Sequence, residues 1–235
     1  MEVKETDLFK KFSILLLDRN KERFDDLKEK LSMISNVKLD NSGFFRAIIE
    51  YLFEHQTHLP HIVSYVVLYK GFTILESFQQ MVSLHKTPEE IENQLGVSIE
   101  HYRTLQKKYE DDLSLVKETD LFKRYNLLFL DQNKKHFDIL KIKLSQQAQV
   151  KLDNSGLVRA TTEFLYENQE ILEDIAKYSM KYKGFTLLEE FMRMINENRS
   201  LQEIESEIGV SILHMRDMEK KYGQSLKKTQ SEGSP

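Results

Sequence analysis

Two pairs of polar residues carry the side chains best suited to recognition chemistry: Lys11 with Ser13, and Arg124 with Asn126. Each pair is spaced two apart within a short apolar run, so on a strand both members share one face. Lysine and arginine offer positive charge, and serine and asparagine offer hydrogen-bond donors and acceptors. That combination suits binding to a polar surface. Catalytic chemistry is harder to find. His55, His58 and His61 stand three apart, as ligands on one helix face would, but Pro60 interrupts that geometry and solvated histidines at a helix end are expected. His101 and His214 read as surface or packing residues, with no nucleophile or carboxylate constellation beside them in the sequence. Asp25-Asp26 and Glu89-Glu90 read as solvated charge on amphipathic helices. No Gly-rich phosphate loop, zinc-ligand spacing or nucleophile motif occurs. With no cysteine, disulfides and thiolate chemistry are excluded. No enzyme, metal or cofactor is expected.

The two polar pairs are copies of one another. Val3-Lys4-Glu5-Thr6-Asp7-Leu8-Phe9-Lys10 returns unchanged as Val116 to Lys123. The same offset, without a gap, sets Val37 to Gly43 on Val150 to Gly156 and Gly96 to Ile99 on Gly209 to Ile212. Roughly half of the matched positions are identical, and a period this long indicates a small domain duplicated, not a solenoid. The expected organisation is a first copy over 1–110, a join at 111–115, a second copy over 116–222 and a disordered tail from Gly223 to Pro235. The His55, His58, His61 spacing is absent from the second copy, where Asn168, Ile171 and Asp174 stand instead.

These residues need elements to position them. Phe12 to Leu17 and Tyr125 to Leu130 are short, branched or aromatic runs bounded by Asp18 and Asp131, which predicts a strand in each copy. One face would collect Phe12, Ile14 and Leu16 (Tyr125, Leu127 and Phe129 in the second copy); the other would collect Lys11, Ser13 and Leu15 (Arg124, Asn126 and Leu128). A lone strand cannot satisfy its backbone, and the other copy supplies an equivalent partner. Asp18 and Asp131 are expected as N-caps of amphipathic helices, Ser32 to Leu39 as a connection, and Asp40 to Gly43 as the start of a second helix. The rest of each copy reads as helix: His61 to Tyr69 closed by Gly71, Phe72 to His85, then a helix begun by Thr87-Pro88 and ended by Gly96, then one capped by Ser98. Thr87 to Tyr109 and Ser200 to Tyr222 have helix-turn-helix length, although two helices closing a bundle share that spacing.

The stretch KKFSILLLD, ERFDDLKEKL, LDNSGFFRAIIEYL resembles the ribbon-helix-helix regulators, the MetJ/Arc/CopG superfamily. Phe45-Arg46-Ala47-Ile48-Ile49 matches the second-helix pattern of that family, and Val158-Arg159-Ala160 does so likewise. The resemblance covers 10–56 and 123–169, with helical extensions at 57–110 and 170–222. Two departures stand out: the turn between the helices is long, and Leu15 and Leu128 occupy positions where the family often has a polar base reader. The implied fold is mainly α, with two tandem ribbon-helix-helix units sharing a two-stranded antiparallel ribbon and each followed by a helix-turn-helix-like extension. The implied function is sequence-specific binding of double-stranded DNA as a transcription regulator, in the manner of a repressor. Tandem regulators of this kind include ones from viruses of hyperthermophilic archaea. The ribbon would lie in the major groove with Lys11, Ser13, Leu15, Arg124, Asn126 and Leu128 toward base edges. Backbone around Asn41, Ser42 and Gly43, and around Asn154, Ser155 and Gly156, would clamp phosphates. One chain would act as a monomeric pseudo-dimer on an imperfect palindrome, with self-association on DNA open.

Composition sets the competing expectation. Hydrophobic content of 40% with 31% charged residues is ordinary for a chain with real cores, and no apolar run approaches a membrane span. Neither signal peptide, membrane nor small-molecule substrate is expected, and the cytoplasm (a host cytoplasm for a viral protein) is the default. The net charge of −4 counts against a nucleic-acid partner, although the local field on a docking face is what acts on phosphate. A helical protein-interaction or antitoxin-like module is the alternative that this charge favours.

Overall fold

The computed structural model describes residues 3–68, 73–179 and 184–228. In each copy a strand, β1 (Lys10–Leu16) or β2 (Lys123–Phe129), is followed by a long helix, α1 (Asp18–Ser35) or α7 (Asp131–Ala148), and then by α2 (Asn41–Glu54) or α8 (Asn154–Glu167). Next come α3 (Leu59–Leu68), α4 (Thr73–Ser83), α5 (Pro88–Leu95) and α6 (Ile99–Lys108) in the first copy. The second copy has α9 (Leu172–Ser179), α10 (Gly184–Asn196), α11 (Leu201–Ile208) and α12 (Ile212–Lys228).

Local chemistry accounts for most of these boundaries. Asp40 and Asp153 accept from the N–H of Gly43 and Gly156 and so start α2 and α8. Thr87 and Glu90 form a reciprocal capping box with Pro88 in the first turn, and Ser200 and Glu203 repeat the box for α11. Asp18 and Asp131 are not N-caps as expected: Leu17 and Leu130 hold those positions, and the two aspartates are the first helical residues. The connection expected from Ser32 is shorter, because α1 continues to Ser35 and stops at Asn36 in the left-handed region. The tail expected from Gly223 is also corrected, since α12 runs on to Lys228. The expected cap at Gly71 and the helix start at Phe72 lie outside the described residues.

The two strands pair antiparallel in one sheet, with Ser13 opposite Asn126, Lys11 opposite Leu128 and Leu15 opposite Arg124. Beneath the inner face, Phe12 stacks on Phe129 at 5.2 Å and meets Phe137 edge-on at 5.0 Å, while Phe45 lies 6.2 Å from Phe129. Rings from both copies thus form one core, and burying a side chain of this size contributes about 1.5–3 kcal/mol.

The fold class expected from the resemblance is corrected. The described residues form twelve α-helices and a single two-stranded sheet, more helix than a compact pair of ribbon-helix-helix units holds. The physical reason lies in α3 and α9. Each packs across onto the other copy, α3 on α7 and α8, and α9 on α1 and α2. Leu59, Ile62 and Val66 of α3, like Leu172 and Ile175 of α9, are fully buried there. The strand and two helices therefore do not enclose the core by themselves.

Candidate nucleic-acid interface

The pleat decides which strand residues reach solvent. Lys11, Ser13, Arg124 and Asn126 are exposed, Leu15 and Leu128 half-buried, and all six lie on the face opposite the aromatic core. At its centre the Ser13 hydroxyl donates to Asn126 Oδ1 at 2.9 Å. Reading adenine with both amide atoms of Asn126 would require that hydroxyl to turn away, which a serine rotor can do. Lys11 and Arg124 sit toward opposite ends of this face and form no ion pair with a described residue.

Each ribbon edge is bonded at one residue, Leu15 on one side and Leu128 on the other. The N–H of Leu15 donates to Ser155 Oγ and that of Leu128 to Ser42 Oγ, each at 2.9 Å. Arg46 Nη1 donates to the Leu128 carbonyl at 2.6 Å and Arg159 Nη1 to the Leu15 carbonyl at 3.0 Å. These arginines are 2% and 4% exposed and lie over the rings of Phe9 and Phe122. These bonds block a third strand from pairing at Leu15 and Leu128, and the outward face stays free.

The structure does not open the expected phosphate cradles. Ser42, Gly43, Ser155 and Gly156 are buried, and both serine hydroxyls are used on strand backbone. The Gly43 and Gly156 amides are taken by Asp40 and Asp153, while Asn41 and Asn154 accept from Lys28 and Lys141. A carboxylate cap at a helix start opposes a phosphate there. The exposed cations at these positions are Lys38 and Lys151, set between buried Val37 and Leu39 and between half-buried Val150 and buried Leu152. Neither forms an ion pair with a described residue. The sequence carried a signal for them: both lie inside the identical heptapeptide Val37 to Gly43 and Val150 to Gly156.

A second constellation went unseen in the sequence. Asp18 Oδ2 accepts from the Ser98 N–H at 3.0 Å, from Ser98 Oγ at 2.9 Å and from His101 Nδ1 at 2.9 Å. Its Oδ1 is 2.6 Å from Lys123 Nζ, at the start of the other copy's strand. Asp131 repeats the arrangement with Ser211, His214 and Lys10. Burial pushes the Asp18 carboxyl toward a higher pKa, but the bonds from His101, Lys123 and Ser98 outweigh it and hold the carboxyl well below the usual range. Serine, histidine and aspartate meet here, yet not as a nucleophilic triad. Ser98 Oγ points to the carboxylate, and His101 Nε2 is 2.8 Å from the Asp120 carbonyl. Both imidazole partners are acceptors, so no ring nitrogen is placed to take a proton from the serine. His101 and His214, expected as surface or packing residues, thus bond helices to the ribbon ends.

Two of the three spaced histidines of the first copy are engaged locally. His58 Nε2 is 2.9 Å from the Tyr51 hydroxyl, and His55 Nδ1 is 3.0 Å from the Tyr51 carbonyl. No group of three or more metal-ligating side chains comes together among the described residues. Among those residues, no helix is long and apolar enough to cross a membrane. Searches against protein-family models, curated proteins and solved structures give no match.

Proposed function

We propose that this chain binds double-stranded DNA with sequence preference, laying the outward face of its intrachain ribbon in the major groove, and that it acts as a regulator of transcription. The observation that carries this is the composition of that face. A short two-stranded ribbon presents Lys11, Ser13, Leu15, Arg124, Asn126 and Leu128 on one side, around a pseudo-twofold centre at the Ser13–Asn126 pair. A two-stranded ribbon fits the major groove, and these side-chain types match its donors, acceptors and thymine methyls. The two halves are unequal (Lys11 against Arg124, Ser13 against Asn126), so the preferred site is an imperfect palindrome. Lys38 and Lys151 supply the phosphate contacts in place of the buried amides.

The test is a gel shift on duplexes selected by the full chain from a random pool. Lys11→Ala with Arg124→Ala should abolish sequence preference. Lys38→Ala with Lys151→Ala should weaken all duplexes alike and lower the salt slope by about two. Unchanged affinity and preference in the first pair would sink the ribbon reading. A helical protein-interaction module is the second reading, favoured by the net charge of −4.

A further inference from the structure

The ribbon does not use the helix pairs α5–α6 and α11–α12. Each is two helices joined by Gly-Val-Ser, with Gly96 at φ 74° and Gly209 at φ 82°. Each is fixed rigidly to a ribbon end. The Arg19 N–H donates to the Gly96 carbonyl at 3.2 Å and the Gln132 N–H to the Gly209 carbonyl at 3.0 Å, beside the Asp18 and Asp131 constellations. Lys123, in that first constellation, stands opposite Leu16 at one ribbon end, and Lys10, in the second, opposite Phe129 at the other. The helices α6 and α12 therefore start at opposite ends of a ribbon about 20 Å long, at roughly 3.3 Å per residue.

Their free faces have a common design. In α6, Tyr102 and Leu105 are buried, leaving Glu100, Arg103, Thr104 and Lys107 exposed along one stripe. In α12, Met215 and Met218 are buried, and Leu213, Arg216, Asp217 and Lys220 are exposed at the equivalent positions. Arg103, Lys107 and Arg216 form no ion pair with a described residue, although the chain as a whole is acidic. The α6 stripe begins at the ribbon: Glu100 lines a cleft with Lys123 and Tyr125 of β2. Leu213 is 71% exposed in the first turn of α12, where the core gives it no role.

We infer that α6 and α12 are a second pair of DNA-reading helices, one beyond each ribbon end, contacting the flanks of the duplex that the ribbon occupies. This inference rests on the ribbon reading for its central anchor. The shared Arg103 and Arg216 suit phosphate or guanine. Positions 100 and 213 (glutamate against leucine) and 104 and 217 (threonine against aspartate) differ in chemistry, so the two flanks would be read differently. The complete site then has a direction, beyond the small inequality of the ribbon itself.

Hydroxyl-radical footprinting of the full chain on a duplex it selects from a random pool tests this. Wild type should protect a central block and a block on each side. Arg103→Ala with Arg216→Ala should lose the side blocks, keep the centre, weaken binding about tenfold or more and lower the salt slope by about two. Both arginines are exposed and form no ion pair with a described residue, so an unchanged thermal melt is expected; Arg103→Gln with Arg216→Gln serves as a second pair with a milder change. A central block alone in wild type, or side blocks and salt slope unchanged in these variants, overturns the inference. If Lys11→Ala with Arg124→Ala leaves affinity and sequence preference unchanged while the arginine pair erases the flanks, the ribbon reading falls and the helices stand. No protection of any duplex by wild type sinks both.

Discussion

At the scale of single residues, buried polar side chains tie the copies together. Asn20 Nδ2 donates to Glu163 Oε1 at 2.6 Å, and Asn133 Nδ2 to Glu50 Oε1 at 2.7 Å, each joining the first long helix of one copy to the second of the other. Arg23 pairs with Glu163, whereas His136 fills the equivalent place beside Glu50 at 2.9 Å and stacks on Phe53. The Asp18 clamp gives a pH prediction. Its carboxyl titrates lower when folded than when unfolded, so its stabilisation is present above the ordinary value of 3.8 and is lost as pH falls below that toward the folded value. Asp18→Asn should lower stability by about 1–3 kcal/mol at about pH 7 and flatten the decline from there to about pH 2, most of which falls below about pH 4. Thermal melts of the two proteins at both pH values check this; an identical acid decline would show that the carboxylate is not a contributor. None of these partners was visible in the sequence, because 80 or more residues separate them.

At the scale of elements, the turns between α5 and α6 and between α11 and α12 combine two demands on glycine. Gly96 and Gly209 both have positive φ, and both lie against the start of a long helix. An added Cβ on Gly96 would stand 2.8 Å from Arg19 Cβ, while on Gly209 the 2.8 Å contact is with Gln132 Oε1, the far end of a flexible side chain, and Gln132 Cβ lies 3.1 Å away. Both variants should therefore cost more than the roughly 1–2 kcal/mol of left-handed strain alone, and Gly96→Ala should cost the more of the two. Denaturant midpoints of the two variants would decide it, and equal losses would contradict the close approach. These helices were legible beforehand from Thr87-Pro88, Gly96 and Ser98, because caps act within a few residues. Where they dock was not legible.

For the whole molecule, the duplication yields one interleaved body. Strands pair between copies, Ser42 and Arg46 of the first bond the Leu128 backbone at the edge of the second copy's strand, and α3 and α9 each cover the other copy's helices. Even the segments before the strands cross over: Glu118 accepts from the Leu75 N–H in α4, and Glu5 from the Leu188 N–H in α10. A fragment of residues 1–112 lacks all these partners. It should show no cooperative melt as a monomer, and adding the fragment 113–235 should restore one. A folded monomer of 1–112 by sedimentation would refute the interleaving.

The repeat, the strand alternation that puts Lys11, Ser13, Arg124 and Asn126 outside, and the helix starts at Asp40, Thr87 and Ser98 were written in the residues, because period, pleat and caps are local properties. Tertiary structure alone decided that Ser42 and Ser155 bond strand edges where open phosphate cradles were expected, that His101 and His214 hold helices to the ribbon, and that α3 and α9 belong to the core. These depend on which distant backbone groups burial leaves unsatisfied, and local periodicity carries no record of that.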